Sequence, residues 1–300
     1  MGVSVRAARY GDLEAADDLV VGSINDLTER QGYGRFAAPG PPKLQAFSLR
    51  DDPEGLWIAE DAGRMLGFAF SWTCGDLWFL AQLFVSPDHQ GGGIGAELLK
   101  RTLAHAEARQ CEHRALITFA FNRVSQALYM RHGFFPRVPV YMFSVPAQEV
   151  RGETAGGDLR PVPLDDTPSS LRELANVDAR ALGLSREKHH RYLLADADTE
   201  GFGLYAGAEC VGYAYLSRTG HIGPLAVVDD GLLGTAFDTA LRLAAAGNAT
   251  QVSAFLPGTA TSALAAAVQH RMRITLPMVL MATEDFGQWT RYLPRNPGFM

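Results

Sequence analysis

Residues 90–96 read Gln90-Gly91-Gly92-Gly93-Ile94-Gly95-Ala96. They follow closely on an apolar run, 77–85, that ends in Leu83-Phe84-Val85. Beyond the glycines, Leu98, Leu99, Leu103 and Ala106 recur at helical spacing. A strand that enters a glycine-rich turn and then a helix gathers unsatisfied backbone N–H groups, with their partial positive charge, at one point. Such a point binds a diphosphate without basic side chains. Glycine lets the phosphates approach the main chain and permits positive φ. A dinucleotide fold would instead set Gly-x-Gly-x-x-Gly after the first strand of a βαβ unit, with an acidic residue about 20 positions on. Here the turn follows the fourth strand-like run. A Walker loop would require Gly-Lys-Ser/Thr, which is absent. Neither nucleotide reading fits.

The elements that must position this turn are legible on both sides of it. A short strand at 3–8 leads to an amphipathic helix at 13–30, a Gly/Pro-rich loop at 32–42 and a short helix near 43–49. Strand-like runs at 55–61 and 64–73 meet at Ala62-Gly63 as a hairpin. After the turn and its helix come a strand at 115–121, a helix capped by Asn122 and ending at His132-Gly133, and a closing strand at 134–145. Residues 147–157 are polar and Gly-rich, as expected of a linker. Beyond them the same landmarks recur in order: 159–164 for 3–8, Gly212 for Gly67, Leu225-Ala226-Val227 for Leu83-Phe84-Val85, and Gly234-Thr235-Ala236 for Gly93-Ile94-Gly95. The expectation is an α+β protein with a mixed, mostly antiparallel sheet in each of two repeated domains, at 1–147 and 158–300, joined by a linker at 148–157.

The composition agrees with two ordinary cores: 300 residues, 47% hydrophobic and 20% charged. A net charge of −6 with both signs interspersed argues against nucleic acid as partner and suits an amine or basic peptide. No run is long enough to span a bilayer. Cys74, Cys111 and Cys210 show neither metal nor disulfide spacing, so the expectation is a cytoplasmic protein without a metal. His189-His190 lacks further ligands at metal spacing and reads as a solvated helix face. The apolar end of the chain, 292–300, reads as a segment that docks on the other domain.

Gln90, Gly93 and Gly95 resemble motif A of the GNAT acetyltransferase superfamily, Gln/Arg-x-x-Gly-x-Gly/Ala, in the same strand–turn–helix setting. A second family motif, Asn-x-x-Ala-x-x-Leu-Tyr-x-x-x-Gly-Phe, is matched by Asn122, Ser125 in the Ala position, Leu128-Tyr129 and Gly133-Phe134. The resemblance covers residues 3–146 by motif and 158–284 by architecture. It implies acetyl-CoA as co-substrate and direct attack by a primary amine of a small-molecule or peptide acceptor, with no metal and no covalent enzyme intermediate. The main chain of Leu83, Phe84 and Val85 would hold the pantetheine arm, with the Leu83 N–H as oxyanion donor. Gln90 and the amides of Gly91, Gly92, Gly93, Ile94, Gly95 and Ala96 would take the pyrophosphate. Asn122 and Ser125 would border the arm, and Tyr129 would protonate the departing thiolate. Asp26 and Glu29, near the end of the first long helix, would border the acceptor.

Two departures qualify the resemblance. Many relatives carry an acidic base late in the fourth strand, where this chain has Ala81-Gln82. Gln82 cannot be a base, although it can position a water. In the second half, Gly231 stands in the place of Gln90 and no tyrosine occupies the acid position, so that half is expected to be structural or a wall of the acceptor groove. The missing base leaves open an alternative, a non-catalytic acyl-CoA-binding module. The sequence does not settle monomer against homodimer.

Overall fold

The computed structural model describes residues 2–150 and 159–300. The expected linker at 148–157 therefore lies outside the described residues from position 151 onward. The chain divides into two compact units: Met1–Phe135 with Met281–Glu284, and Pro136–Leu280 with Asp285–Met300.

The first unit runs β1 (Ser4–Ala7), α1 (Leu13–Arg30), α2 (Lys43–Asp51), β2 (Leu56–Asp61), β3 (Arg64–Cys74), β4 (Leu77–Val85), α3 (Ile94–Ala108), β5 (His113–Phe119) and α4 (Arg123–Met130). Strands β1 to β4 pair antiparallel in sequence order, and β4 pairs parallel with β5. Helix α1 forms because Leu13, Ala16 and Val20 recur on one face, and all three are buried. Helix α3 lies close against β3 at Gly67, where a Cβ would stand 2.8 Å from Leu98 Cδ1. Ile94 and Leu98 thereby pack onto Ala59, Leu66 and Ala69, with the Leu83 and Val85 side chains beside them.

The second unit contains β6 (Phe135–Pro146), β7 (Arg160–Pro163), α5 (Pro168–Leu182), α6 (Glu187–Ala195), β8 (Thr199–Ala206), β9 (Glu209–Ser217), β10 (His221–Val227), α7 (Leu233–Ala246), β11 (Gln251–Pro257) and α8 (Thr261–Gln269). It is completed by β12 (Arg273–Ala282), whose last residues count with the first unit, and β13 (Tyr292–Leu293). Strands β7 to β10 are antiparallel, and β10 pairs parallel with β11. The element order of the first unit thus recurs. Strand β6, read from sequence as closing the first domain, pairs antiparallel with β11, from Gln251↔Pro146 to Pro257↔Val140.

Two expectations are corrected here. His189 and His190 do not face solvent: both are buried on α6. His190 Nε2 lies 2.8 Å from Asp178 Oδ2, and its Nδ1 lies 2.8 Å from the Tyr215 hydroxyl. The apolar terminal segment docks within the second unit, where Tyr292, Leu293, Phe299 and Met300 are buried. No helix among the described residues is long and apolar enough to cross a membrane.

Candidate active site

The site begins where β4 leaves β5. Their parallel pairing runs from Leu77↔His113 to Leu80↔Leu116 and stops there. At the next residue β4 carries a bulge against β3: Ser71 faces Leu80 and Phe70 faces Gln82, so Ala81 is the extra residue. A bulge bends and twists its strand, so β4 parts from β5 at the point where its own sequence continues as Gln82-Leu83-Phe84-Val85. Burial follows: residues 77–80 are buried and 81–85 only partly so, although the whole run is apolar apart from Gln82.

Beyond the bulge, the alternation of the strand assigns its polar groups. Ser86 N–H donates to Leu66 O at 2.8 Å, so Ser86, Phe84 and Gln82 turn their main-chain groups toward β3. Leu83 and Val85 turn theirs to the opposite, open flank. The Val85 carbonyl accepts from Gln90 Nε2 at 3.1 Å. Gln90 therefore braces the strand end from the turn, a role that leaves the neighbouring amides to other partners.

The turn has the backbone that its glycines permit. Gly91 and Gly93 have φ of 83° and 86°, and a Cβ at either would stand in open space. Gly93 is the N-cap of α3 and, lacking a side chain, leaves the helix uncapped. The helical bonding starts with Glu97 N–H to Gly93 O at 3.1 Å, so the amides of Ile94, Gly95 and Ala96 are the orphan donors of the first turn. Residues 91–93 are exposed. At Gly95 a Cβ would lie 3.6 Å from Val85 Cγ2 and 3.7 Å from Leu128 Cδ2, so the end of β4, the start of α3 and helix α4 converge there. An anionic diphosphate fits this cradle, because its donors are peptide N–H groups and its glycines leave room in front of them.

Helix α4 carries the third part. Asn122 caps it: Oδ1 accepts from Ser125 N–H at 3.2 Å, while Nδ2 donates to Ser125 Oγ at 2.8 Å. Asn122, Ser125 and Tyr129 share one helix face by their spacing. Tyr129 is buried. Burial pushes its hydroxyl well above the usual phenol range, against the smaller opposing effect of a hydrogen bond with Ser125. A tyrosine so held stays protonated and can act as a proton donor.

The remaining candidates are placed as follows. Gln82 Oε1 accepts from Gln45 Nε2 of α2 at 3.3 Å, and Gln82 is half-buried. Asp26 pairs with Arg30 at 2.5 Å and Glu29 with Arg35 at 3.3 Å, so both carboxylates near the end of α1 are already met by arginines. Asn25 fixes the loop after α1 by accepting from the N–H groups of Phe36 and Ala37, each at 3.0 Å. That loop brings Tyr33 to stack on Phe121, which stacks in turn on Phe119 at the end of β5. Sequence reading did not find this aromatic ladder, since its members lie almost 90 residues apart. His89, beside the turn, buries a ring nitrogen that has no hydrogen-bond partner among the described residues. The three cysteines are buried, and burial pushes the Cys111 and Cys210 thiols up.

A second cluster in this unit imitates a catalytic arrangement. Asp52 Oδ1 lies 2.8 Å from His105 Nε2, and His105 Nδ1 lies 3.1 Å from Ser71 Oγ. All three residues are buried, and the serine hydroxyl also reaches the Gly55 carbonyl. Buried and bonded to one another, the three side chains join β3 and α3 to the segment before β2.

Comparison with known proteins places this geometry. Residues 22–134 match the family model described as "Acetyltransferase (GNAT) family". A mycothiol acetyltransferase of Streptomyces bingchenggensis is 30% identical over 152 residues, 44% of this chain and 43% of that protein. The match thus spans less than half the length of that relative. Among solved structures, a putative acetyltransferase from Pyrococcus horikoshii superposes with a TM-score of 0.78 at 17% identity, covering 100% of this chain and 96% of its own. A GCN5-related N-acetyltransferase from Sphaerobacter thermophilus does so with a TM-score of 0.64 at 15% identity, covering 96% of each chain. At these identities the structural matches speak for the fold. Residues 22–134, within the first unit, are thus similar to the acetyltransferase (GNAT) family.

Proposed function

We propose that the first unit is an N-acetyltransferase that moves the acetyl group of acetyl-CoA to a primary amine of a small-molecule or peptide acceptor. The observation that carries this reading is the continuity of β4 with the turn: a strand freed from β5 at Ala81, two residues with main-chain groups on its open flank, and an uncapped helix start with left-handed glycines. The amides of residues 91–96 hold the diphosphate. Leu83 and Val85 hold the arm as a pseudo-strand, and the Leu83 N–H faces the thioester carbonyl, where charge develops during attack. A preorganised donor of this kind contributes about 10²–10³ in rate. Fixing both reactants in one cleft removes the entropy of their encounter. Tyr129 gives its proton to the departing sulfur, with Ser125 and Asn122 holding it in place; the proton that the attacking nitrogen loses leaves through water, which reprotonates the tyrosinate. Coenzyme A supplies the activated acyl group, and the unit needs no residue as nucleophile.

The second reading, a coenzyme-binding module without turnover, is favoured by the absence of a carboxylate at Gln82. One substitution separates the two. For an enzyme, Tyr129→Phe lowers kcat by about 10²-fold while calorimetry finds the affinity for coenzyme A unchanged. For a binding module there is no turnover to lose with any amine in a thiol-release screen. Absence of acetyl-CoA binding at millimolar concentration contradicts both.

A further inference from the structure

The two units share a strand register, yet the flank that is open beside β4 is filled beside β10. In the first unit Leu83, Phe84 and Val85 face Ala69, Phe68 and Gly67. In the second, Leu225, Ala226 and Val227 face Ala214, Tyr213 and Gly212. Val228 N–H donates to Val211 O at 2.9 Å, as Ser86 N–H does to Leu66 O. Strand β10 also loses its parallel partner early, after Ile222↔Ala254, and shifts register before Leu225. From that point β13 takes the flank: Leu225 faces Leu293, Ala226 faces Tyr292, and Val227 N–H donates to the Arg291 carbonyl at 3.0 Å. Val227 is the counterpart of Val85, whose main-chain groups point to the open side.

The turn after β10 differs in the same sense. Asp229 Oδ1 accepts from Gly231 N–H at 2.9 Å, so a carboxylate of the chain already occupies a backbone donor of the turn. The Asp230 carboxylate receives Thr290 and Arg291 from the terminal segment. No residue between Val228 and Gly234 has positive φ. An incoming diphosphate would meet two carboxylates and no left-handed cradle.

The terminal segment is anchored by polar groups that match it along its length. Arg295 Nη1 donates to the Gly223 carbonyl and Nη2 to Thr199 Oγ1, each at 2.9 Å, and the Arg295 carbonyl meets His221 Nε2. A Cβ at Gly223 would stand 2.7 Å from the Pro294 carbonyl oxygen, so glycine at that position leaves room for the segment. Arg186, fully buried, donates to the Met300 carbonyl and, at 2.6 Å, to the Tyr213 hydroxyl, which donates to Asp178 Oδ1 at 2.6 Å. Buried networks of this kind are stable when every member is matched, and here the segment supplies part of the match.

We infer that the second unit is a receptor for an extended peptide strand, its ligand supplied in cis by residues 285–300, and that only the first unit offers a cleft for coenzyme A. The clause on coenzyme A rests on the function proposed above; the strand receptor does not. Recognition follows the mode of strand addition to a free sheet edge, with the main-chain groups of Leu225 and Val227 on the flank that β13 takes, the Arg186 side chain on the Met300 carbonyl, and the Gly223 carbonyl accepting from the Arg295 side chain.

The test uses the full chain. Leu293→Ala with Arg295→Ala weakens the cis segment, and hydrogen exchange of the Leu225 and Val227 amides reports its departure, with β11 amides as the control for an intact fold. A fluorescently labelled synthetic peptide of residues 285–300 is then titrated. The inference expects the doubly substituted chain to bind one peptide, at least tenfold more tightly than the unsubstituted chain binds it, and to restore protection at Leu225 and Val227. It expects a peptide carrying the same two substitutions to bind at least tenfold more weakly. Unchanged protection in the variant, or equal binding of both peptides, overturns it. In parallel, calorimetry of the unsubstituted chain with coenzyme A is expected to give one equivalent. Two equivalents overturn the inference and leave the proposed function standing. None overturns the proposed function and leaves the peptide result to stand or fall by itself.

Discussion

Two glycines of the turn differ in what they require, and the difference makes each a test. Gly93 has φ of 86°, where an L side chain costs about 1–2 kcal/mol. Gly95 is in the first turn of α3, and a Cβ there meets Val85 and Leu128 at ordinary contact distance. Gly93→Ala is therefore expected to raise the dissociation constant for coenzyme A by about tenfold, the equivalent of about 1.4 kcal/mol. Gly95→Ala should leave it within about twofold. Isothermal titration of both variants checks the contrast. Gln82 permits a second test. With an amide rather than a carboxylate there, nothing at that position takes the acceptor's proton, so the amine must arrive uncharged. The account expects kcat/KM to rise tenfold per pH unit up to the acceptor's own pKa. Gln82→Glu is expected to bend that profile at lower pH by supplying a base. Rate profiles that coincide for the two proteins would contradict this role. The turn and the Asn122–Tyr129 motif were readable at this scale because both are local. The Arg35 partner of Glu29 was not, since that pairing depends on how the loop after α1 folds back, whereas Asp26 and Arg30 pair at i,i+4 within α1.

At the scale of elements, the sequence located most strands and helices of the first unit to within two residues. Helix α1 and strand β4 were placed at their observed bounds, because hydrophobic period and flanking Gly or Pro mark such elements directly. Partners were not legible. Nothing in residues 134–145 indicates that β6 pairs with β11, a strand more than 100 positions later. Burial of His190 required Asp178 of α5 and Tyr215 of β9, which belong to two other stretches of chain. The Ser71–His105–Asp52 chain was missed for the same reason, and its stability effect can be measured. Burial alone would raise the Asp52 carboxyl, but hydrogen bonds with His105 and Thr73 outweigh it and hold the group below the ordinary value of 3.8. A folded value below the unfolded one means that the carboxylate stabilises the protein above pH about 4. That contribution is lost as pH falls through the depressed value. Asp52→Ala should cost about 3–5 kcal/mol near neutrality and flatten the acid limb of the stability profile. Urea unfolding at pH 7 and pH 3 measures both effects, and equal losses at the two pH values would contradict the assignment.

At the scale of the whole molecule, the two units pair corresponding strands in the same register with opposite outcomes on the free flank. The sequence landmarks, Gly212 for Gly67 and Leu225-Ala226-Val227 for Leu83-Phe84-Val85, fall at matching positions of that register. The filling of the second flank by β13 was not legible, because a two-residue strand has no periodicity and its partner is set by tertiary contact. The account's central claim concerns the first unit: peptide amides at 91–96 hold the diphosphate of coenzyme A. An amide NMR titration of ¹⁵N-labelled protein with coenzyme A reads those groups individually. The account predicts saturable shifts for Gly91, Gly92, Gly93, Ile94, Gly95 and Ala96, with the amides at 229–234 unmoved. Bound coenzyme A that leaves the 91–96 amides where they were would contradict it.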